Sequence, residues 1–157
     1  MNNYSQKAKT LFRESYNCAQ SVFCTFAEDL GIDFDSALKL SSSFGGGMGR
    51  MREVCGAVSA MFMIAGLKYG YTEPNNKEVK TEHYKRIQEL AQLFKEKHGT
   101  IICRELLGPL ADDSYIPSDR TKEYYAVRPC EKIIGDAAEI ISEYIAEHDS
   151  KMFKNSN

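Results

Sequence analysis

The chain has 157 residues, 43% of them hydrophobic, and its 20 basic and 22 acidic side chains leave a formal net charge of −2. That length suits one domain with one substantial core, spanning 1–150, followed by a tail at 151–157 expected to fray. Without a basic excess or stripe the chain does not read as a nucleic-acid platform, so small molecules or proteins are the expected partners.

MNNYSQKAKTLF lacks the apolar stretch of a signal peptide, and the most apolar run, Val54 to Leu67, is short for a membrane span. A cytoplasmic protein without membrane insertion is therefore expected. Five cysteines in a reducing compartment do not form a structural disulfide framework, which leaves ligation, redox chemistry or burial to account for them.

In chain order, Leu11, Phe12, Cys18, Ala19, Val22, Phe23, Phe26 and Leu30 recur at helical spacing and predict one helix over about 4–30, with Gly31 as its stop. Cys18 falls on the stripe of Leu11 and Val22. Cys24, six residues on, is rotated about 120° away, so the two should not share a site. Asp33 is placed to cap a short helix through Phe34, Ala37, Leu38 and Ser41.

The run Phe44-Gly45-Gly46-Gly47-Met48-Gly49-Arg50 reads as a loop able to adopt left-handed conformations. It matches neither phosphate-binding glycine fingerprint. It is expected instead to turn backbone N–H groups toward Cys55, where they could meet a thiolate or a cluster sulfide. The next helix, about Val54 to Tyr69, is almost free of charge and rich in small residues, so burial around most of its circumference is expected, with Gly70 ending it.

Val79, His83, Ile87, Leu90, Ala91 and Phe94 predict a long amphipathic helix closing at His98-Gly99. Thr100 is placed to cap a short helix containing Cys103, Leu106 and Leu107, which Gly108-Pro109 ends. Gly108 to Pro129 has no clear period, and an aperiodic stretch of that length suits a cover over a site. A final helix is predicted from Arg128-Pro129-Cys130 through Ile133, Ile134, Ala137, Ile140, Ile141 and Tyr144, with the proline in its first turn. The expected fold is all-α, a compact bundle of five or six helices.

Cys55, Cys103 and Cys130 each fall near a predicted helix start, where partial positive charge favours thiolates, and Arg52, Arg104 and Arg128 lie close by in sequence. No CxxC pair is present, so a four-sulfur site would have to be assembled by tertiary packing. His83, His98 and His148 read as structural or helix-end residues. At this level a metal or cluster site, a dithiol and plain burial all stay open.

The segments Tyr16-Asn17-Cys18-Ala19-Gln20, Phe44-Gly45-Gly46-Gly47-Met48-Gly49, Cys55-Gly56-Ala57, Cys103-Arg104-Glu105-Leu106-Leu107-Gly108 and Cys130, in that order, resemble the bacterial family named C_GCAxxG_C_C, to which redox activity is attributed. The resemblance covers about residues 5–145. It implies that the family's four cysteines are Cys18, Cys55, Cys103 and Cys130, with Cys24 outside the pattern. Where the family motif ends in glycine this chain has Ala60, a small change if the position serves helix packing and a serious one if a cofactor approaches the backbone there.

Three expectations follow. In the first, Cys18, Cys55, Cys103 and Cys130 hold an iron–sulfur cluster or another thiolate-bound metal, with Gly45, Gly46, Gly47, Gly49 and Gly56 around it and a redox partner protein. In the second, two cysteines cycle as dithiol and disulfide with Cys55 as the nucleophile. In the third, the chain is a structural module, such as a helical homodimer, with inert thiols.

Overall fold

The computed structural model describes residues 3–155, with eight α-helices and no β-sheet among them. The all-α class is as expected, and the helix count exceeds the predicted five or six for two physical reasons. The predicted first helix is broken in two, α1 (Asn3–Arg13) and α2 (Cys18–Ala27). Ser15 takes a left-handed φ of 78°, and Asn17 then restarts the chain with a reciprocal cap. Its side chain accepts the Gln20 N–H at 2.9 Å, while the Gln20 side chain accepts the Asn17 N–H at 3.1 Å. The apolar period runs on through this break, which is why spacing alone joins the two helices.

Asp33 caps α3 (Phe34–Ser42) as expected, accepting the Ser36 N–H at 3.0 Å. After the glycine loop, α4 (Gly56–Tyr69) ends at Gly70. Its Ala57, Val58, Ala60, Met61, Ile64 and Ala65 are all fully buried, as its lack of charge predicts. α5 (Lys77–His98) closes at a left-handed Gly99. Thr100 does not cap α6 (Cys103–Leu107): it accepts the N–H of Ile102, the residue that occupies the cap position.

The second additional helix, α7 (Lys122–Val127), lies inside the stretch read as aperiodic and is capped by Thr121. α8 (Cys130–Asn155) begins one residue after Pro129 rather than including it. The predicted frayed tail overlaps the end of α8, and its last two residues lie outside the described residues.

Helices α2, α4 and α8 form the centre, with α1 against α2 and α8, α3 against α2, and α5 against α4 and α8. Phe12, Val22, Phe23, Met61, Ile64, Leu90, Phe94, Ile134 and Ile141 fill the core, each worth about 1.5–3 kcal/mol of burial. One short pairing outside the helices positions the site. Val54 and Ile102 form an isolated antiparallel bridge, in which Cys55 N–H donates to Ile101 C=O at 2.8 Å and Cys103 N–H to Glu53 C=O at 2.7 Å. The starts of α4 and α6 are thereby tied together, and Cys55 and Cys103 with them.

Among the described residues no helix is long and apolar enough to cross a membrane.

Candidate functional site

Four cysteines stand at four helix starts. Cys18, Cys103 and Cys130 are the first residues of α2, α6 and α8, and Cys55 occupies the cap position of α4. Cys18 thus owes its place to the break before α2 rather than to an apolar stripe on one long helix. All four line a single cavity of about 290 Å³, and so do Gly45, Gly46, Gly47, Gly49 and Gly56. Cys24 is buried elsewhere on α2 and does not line it. No disulfide joins any of the five.

The loop before α4 wraps one wall. Gly46, Gly47, Met48, Gly49 and Arg50 are five consecutive residues with positive φ, and Arg52 follows at 61°. Three of these positions carry side chains, and each costs about 1–2 kcal/mol in that region, so the loop is held by other interactions. Arg52 N–H donates to Gly46 C=O at 3.2 Å and Glu53 N–H to Gly47 C=O at 2.9 Å. Gly47 is obligatory on space as well as φ: a Cβ there would lie 2.6 Å from Cys103 Cβ and 2.8 Å from Arg52 Cα.

The loop amide of Gly46 acts on Cys18, and the α4 amides of Ala57 and Val58 act on Cys55.

Electrostatics separate the four thiols. A hydrogen bond from the Cys130 thiol, against the effect of burial, holds Cys18 down at about 7, helped by the charge of Arg120 and the Gly46 amide. Donating that bond, together with burial and the nearby Cys18 charge, pushes Cys130 far up. Burial pushes Cys55 up to about 12, and a charge on Cys18 adds to it. Burial also raises Cys103, although Arg52 Nη1 stands 3.7 Å from its sulfur and opposes the rise. Each thiol that ionises makes the next harder to ionise, the behaviour of a site in which several thiolates need a counter-charge.

Part of that counter-charge comes from four arginines in the cavity wall, Arg50, Arg52, Arg120 and Arg128, and no Asp or Glu is among the residues lining it. Arg52 is only 3% exposed. Sequence proximity identifies Arg52 and Arg128. Arg104 turns away, its Nη2 donating to Met51 C=O, and Arg50 and Arg120 join the wall without any cysteine next to them in sequence.

Arg50 and Arg52 also tie down the segment over the cavity. Arg50 Nη1 donates to the carbonyls of Ser114 and Ile116, and Arg52 Nε donates to Asp112 C=O at 2.8 Å. Tyr115, Pro117 and Ser118 of this segment line the cavity. The expectation that the aperiodic stretch covers a site fits this placement. His83, His98 and His148 lie outside the cavity lining.

A cavity lined by four cysteines, with helix amides and arginines around it, marks this chain as a helical protein with clustered thiols. The family model described as "Putative redox-active protein (C_GCAxxG_C_C)" matches residues 16–144, and the chain belongs to that family. No curated protein and no solved structure matches the chain. Ala60, which replaces the motif's last glycine, is fully buried in α4 and does not line the cavity. The added methyl therefore falls on helix packing and leaves the sulfur site clear.

The donor set is all sulfur, which selects soft or borderline metals and clusters over hard cations. Among the described residues no three of His, Cys, Asp and Glu stand close enough to hold a single metal ion.

Proposed function

We propose that this chain is a redox protein in which Cys18, Cys55, Cys103 and Cys130 hold an iron–sulfur cluster or another multinuclear thiolate-bound metal centre and pass electrons to a partner protein. The observation that carries the reading is the convergence of four thiols, from four separate helix starts, on one cavity walled by four arginines and no carboxylate. Such a group, when bound, supplies one-electron chemistry.

The chain's own residues do the rest. The amides of Gly46, Ala57 and Val58 donate to sulfur, Arg52 lies against Cys103, and Tyr115, Pro117 and Ser118 line the cavity. Hydrogen bonds to sulfur and exclusion of solvent are the levers that set a cluster's potential. The mutual opposition of the four thiols to ionisation also favours a cationic occupant, since metal binding replaces their protons.

A second reading has its own observation, the hydrogen bond between Cys18 and Cys130 with Cys18 held at about 7. In this dithiol reading Cys18, rather than Cys55, is the nucleophile. Its thiolate attacks a partner's disulfide, and the Cys130 sulfur displaces the partner as its dithiol. Two electrons pass to the partner and a Cys18–Cys130 disulfide remains.

Iron and acid-labile sulfide content, with a visible absorption spectrum on protein purified without oxygen, tests the first reading. Stoichiometric iron and sulfide are expected in the wild type and in Cys24→Ser, and their loss in Cys55→Ser and Cys130→Ser. Metal-free wild type, or equal loading in all three variants, would overturn it. Metal-free protein that loses two free thiols on mild oxidation, but none as Cys18→Ser, would establish the second.

A further inference from the structure

Two of the cavity's guanidinium groups converge on one neutral oxygen. Arg50 Nη2 lies 3.3 Å and Arg128 Nη2 3.5 Å from Ser118 Oγ. Arg120 stands nearby, and the Tyr124 ring is flanked by both Arg128, at 4.5 Å, and Arg120, at 4.9 Å. Like charges crowd here: Arg50 is lowered by burial and further by Arg52 and Arg128.

The described carboxylates do not answer this charge. None of the ion pairs among the described residues involves Arg50, Arg52, Arg120 or Arg128. The acid nearest in effect is Asp112, which offsets Arg50 only in part and accepts the Ser114 N–H at 2.9 Å. Buried or half-buried cations are normally paired; the Cys18 and Cys103 sulfurs answer Arg120 and Arg52 in part, whereas Arg50 and Arg128 form no ion pair among the described residues.

The arginines differ in what they have left to give. Those of Arg50 and Arg52 are engaged by the covering segment, and Arg120 donates to Phe12 and Tyr16 carbonyls. Among the described residues the Arg128 guanidinium makes one long hydrogen bond, to Ser118, out of the five donors it carries. It is half-buried at the cavity wall, with Ser118 beside it.

We propose that Arg128, with Arg50, Arg120 and Ser118, forms a seat for a small divalent oxyanion, held against the thiol-lined wall. The seat deepens the reading of this cavity as a redox centre by naming the charge class of what enters it, but binding at the seat requires no metal. An oxyanion can accept in parallel from the planar fork of Arg128 and from Arg50 at the place where Ser118 now receives both. A small anion is favoured over an acidic protein segment because the arginines line the same cavity as the cysteines.

Inorganic sulfate is the probe, titrated calorimetrically into the full chain in a low-chloride buffer, with iron measured on the same preparation. One saturable site per chain is expected, weakened about tenfold in Arg128→Gln by loss of a charge-assisted pair, with Arg128→Lys in between. Lys132→Gln, an exposed cation on the same helix, should bind as the wild type does. Absence of saturable sulfate binding by the wild type would overturn the seat. Equal weakening by Arg128→Gln and Lys132→Gln would also overturn it, reducing the effect to general screening.

Binding of a polyglutamate peptide without binding of sulfate would overturn it in favour of an acidic partner segment. Circular dichroism melts of the Arg128 variants separate lost binding from lost fold. Sulfate binding by iron-free protein upholds the seat and sinks the metal reading, and iron without sulfate binding does the reverse.

Discussion

Cys18 and Cys55 line the same cavity and respond to it in opposite senses. Cys18 receives hydrogen bonds and faces Arg120, which favours its thiolate, whereas Cys55 is dominated by burial, which favours its thiol. In metal-free protein, alkylation of Cys18 by iodoacetamide should rise with pH to half its maximum at about 7, with Cys55 modified last; mass spectrometry of the labelled peptides reads both. Cys55 labelled first, or a common midpoint near the ordinary thiol value of 9.0, would contradict this. The same shifts bear on stability. Cys18 has a folded-state value below its unfolded one, so its contribution is complete above about 9 and is lost as pH falls through about 7. Cys55, raised in the folded state, costs stability as pH climbs above 9.0. A melting temperature that rises between about pH 7 and about pH 9 and falls at higher pH is the expected profile. The sequence points to Cys55 through a helix start, a nearby arginine and the glycine loop before it. Three other cysteines share the helix start, and what separates them is depth and neighbours, which a linear sequence does not carry.

At the scale of single elements, the start of α2 does the most to place sulfur. Asn17 accepts the Gln20 N–H, and its Nδ2 donates to Ser42 C=O at 3.1 Å, which ties the start of α2 to the end of α3. Asn17→Ala removes both bonds and should destabilise metal-free protein by about 1–2 kcal/mol in urea unfolding. Asn17→Asp keeps the capping acceptor and should lose less; equal losses would show that the cap is not what matters. The alanine variant should also move the Cys18 alkylation midpoint upward, because Cys18 follows the cap directly. The signal for this break was present as Asn17-x-x-Gln20, a capping-box spacing, but the uninterrupted apolar period outweighed it. Other elements were legible for clear reasons. The charge-free α4, the Asp33 cap and the stops at Gly70 and Gly99 are local features, each readable within a few residues. The short α7 was not, because six residues are too few to show a period.

Across the whole molecule, the cavity depends on contacts between parts of the chain that are far apart in sequence. Class, topology-neutral helix content and the identity of the four cavity cysteines could be read from one sequence. The full arginine wall could not, because Arg50, Arg52 and Arg120 find their places through carbonyls scores of residues away. Arg50 is the clearest case: it crosses to Ser114, Ile116 and Ser118, so one side chain fastens the segment that closes the cavity. Tyr115 and Ile116 of that segment are 88% and 65% exposed, so little apolar burial holds it down without the arginine. Elements with few buried contacts open locally at low free energy while the core stays folded. Arg50→Ala should therefore speed alkylation of Cys55 and Cys103 in metal-free protein several-fold and make the 111–121 segment an early site of proteolysis. Cys24, which lies in the core away from the cavity, supplies the internal control. If Cys24 speeds up in step with the cavity thiols, the variant has loosened the entire bundle and Arg50 is a general support. If only the cavity thiols respond, Arg50 governs access to sulfur.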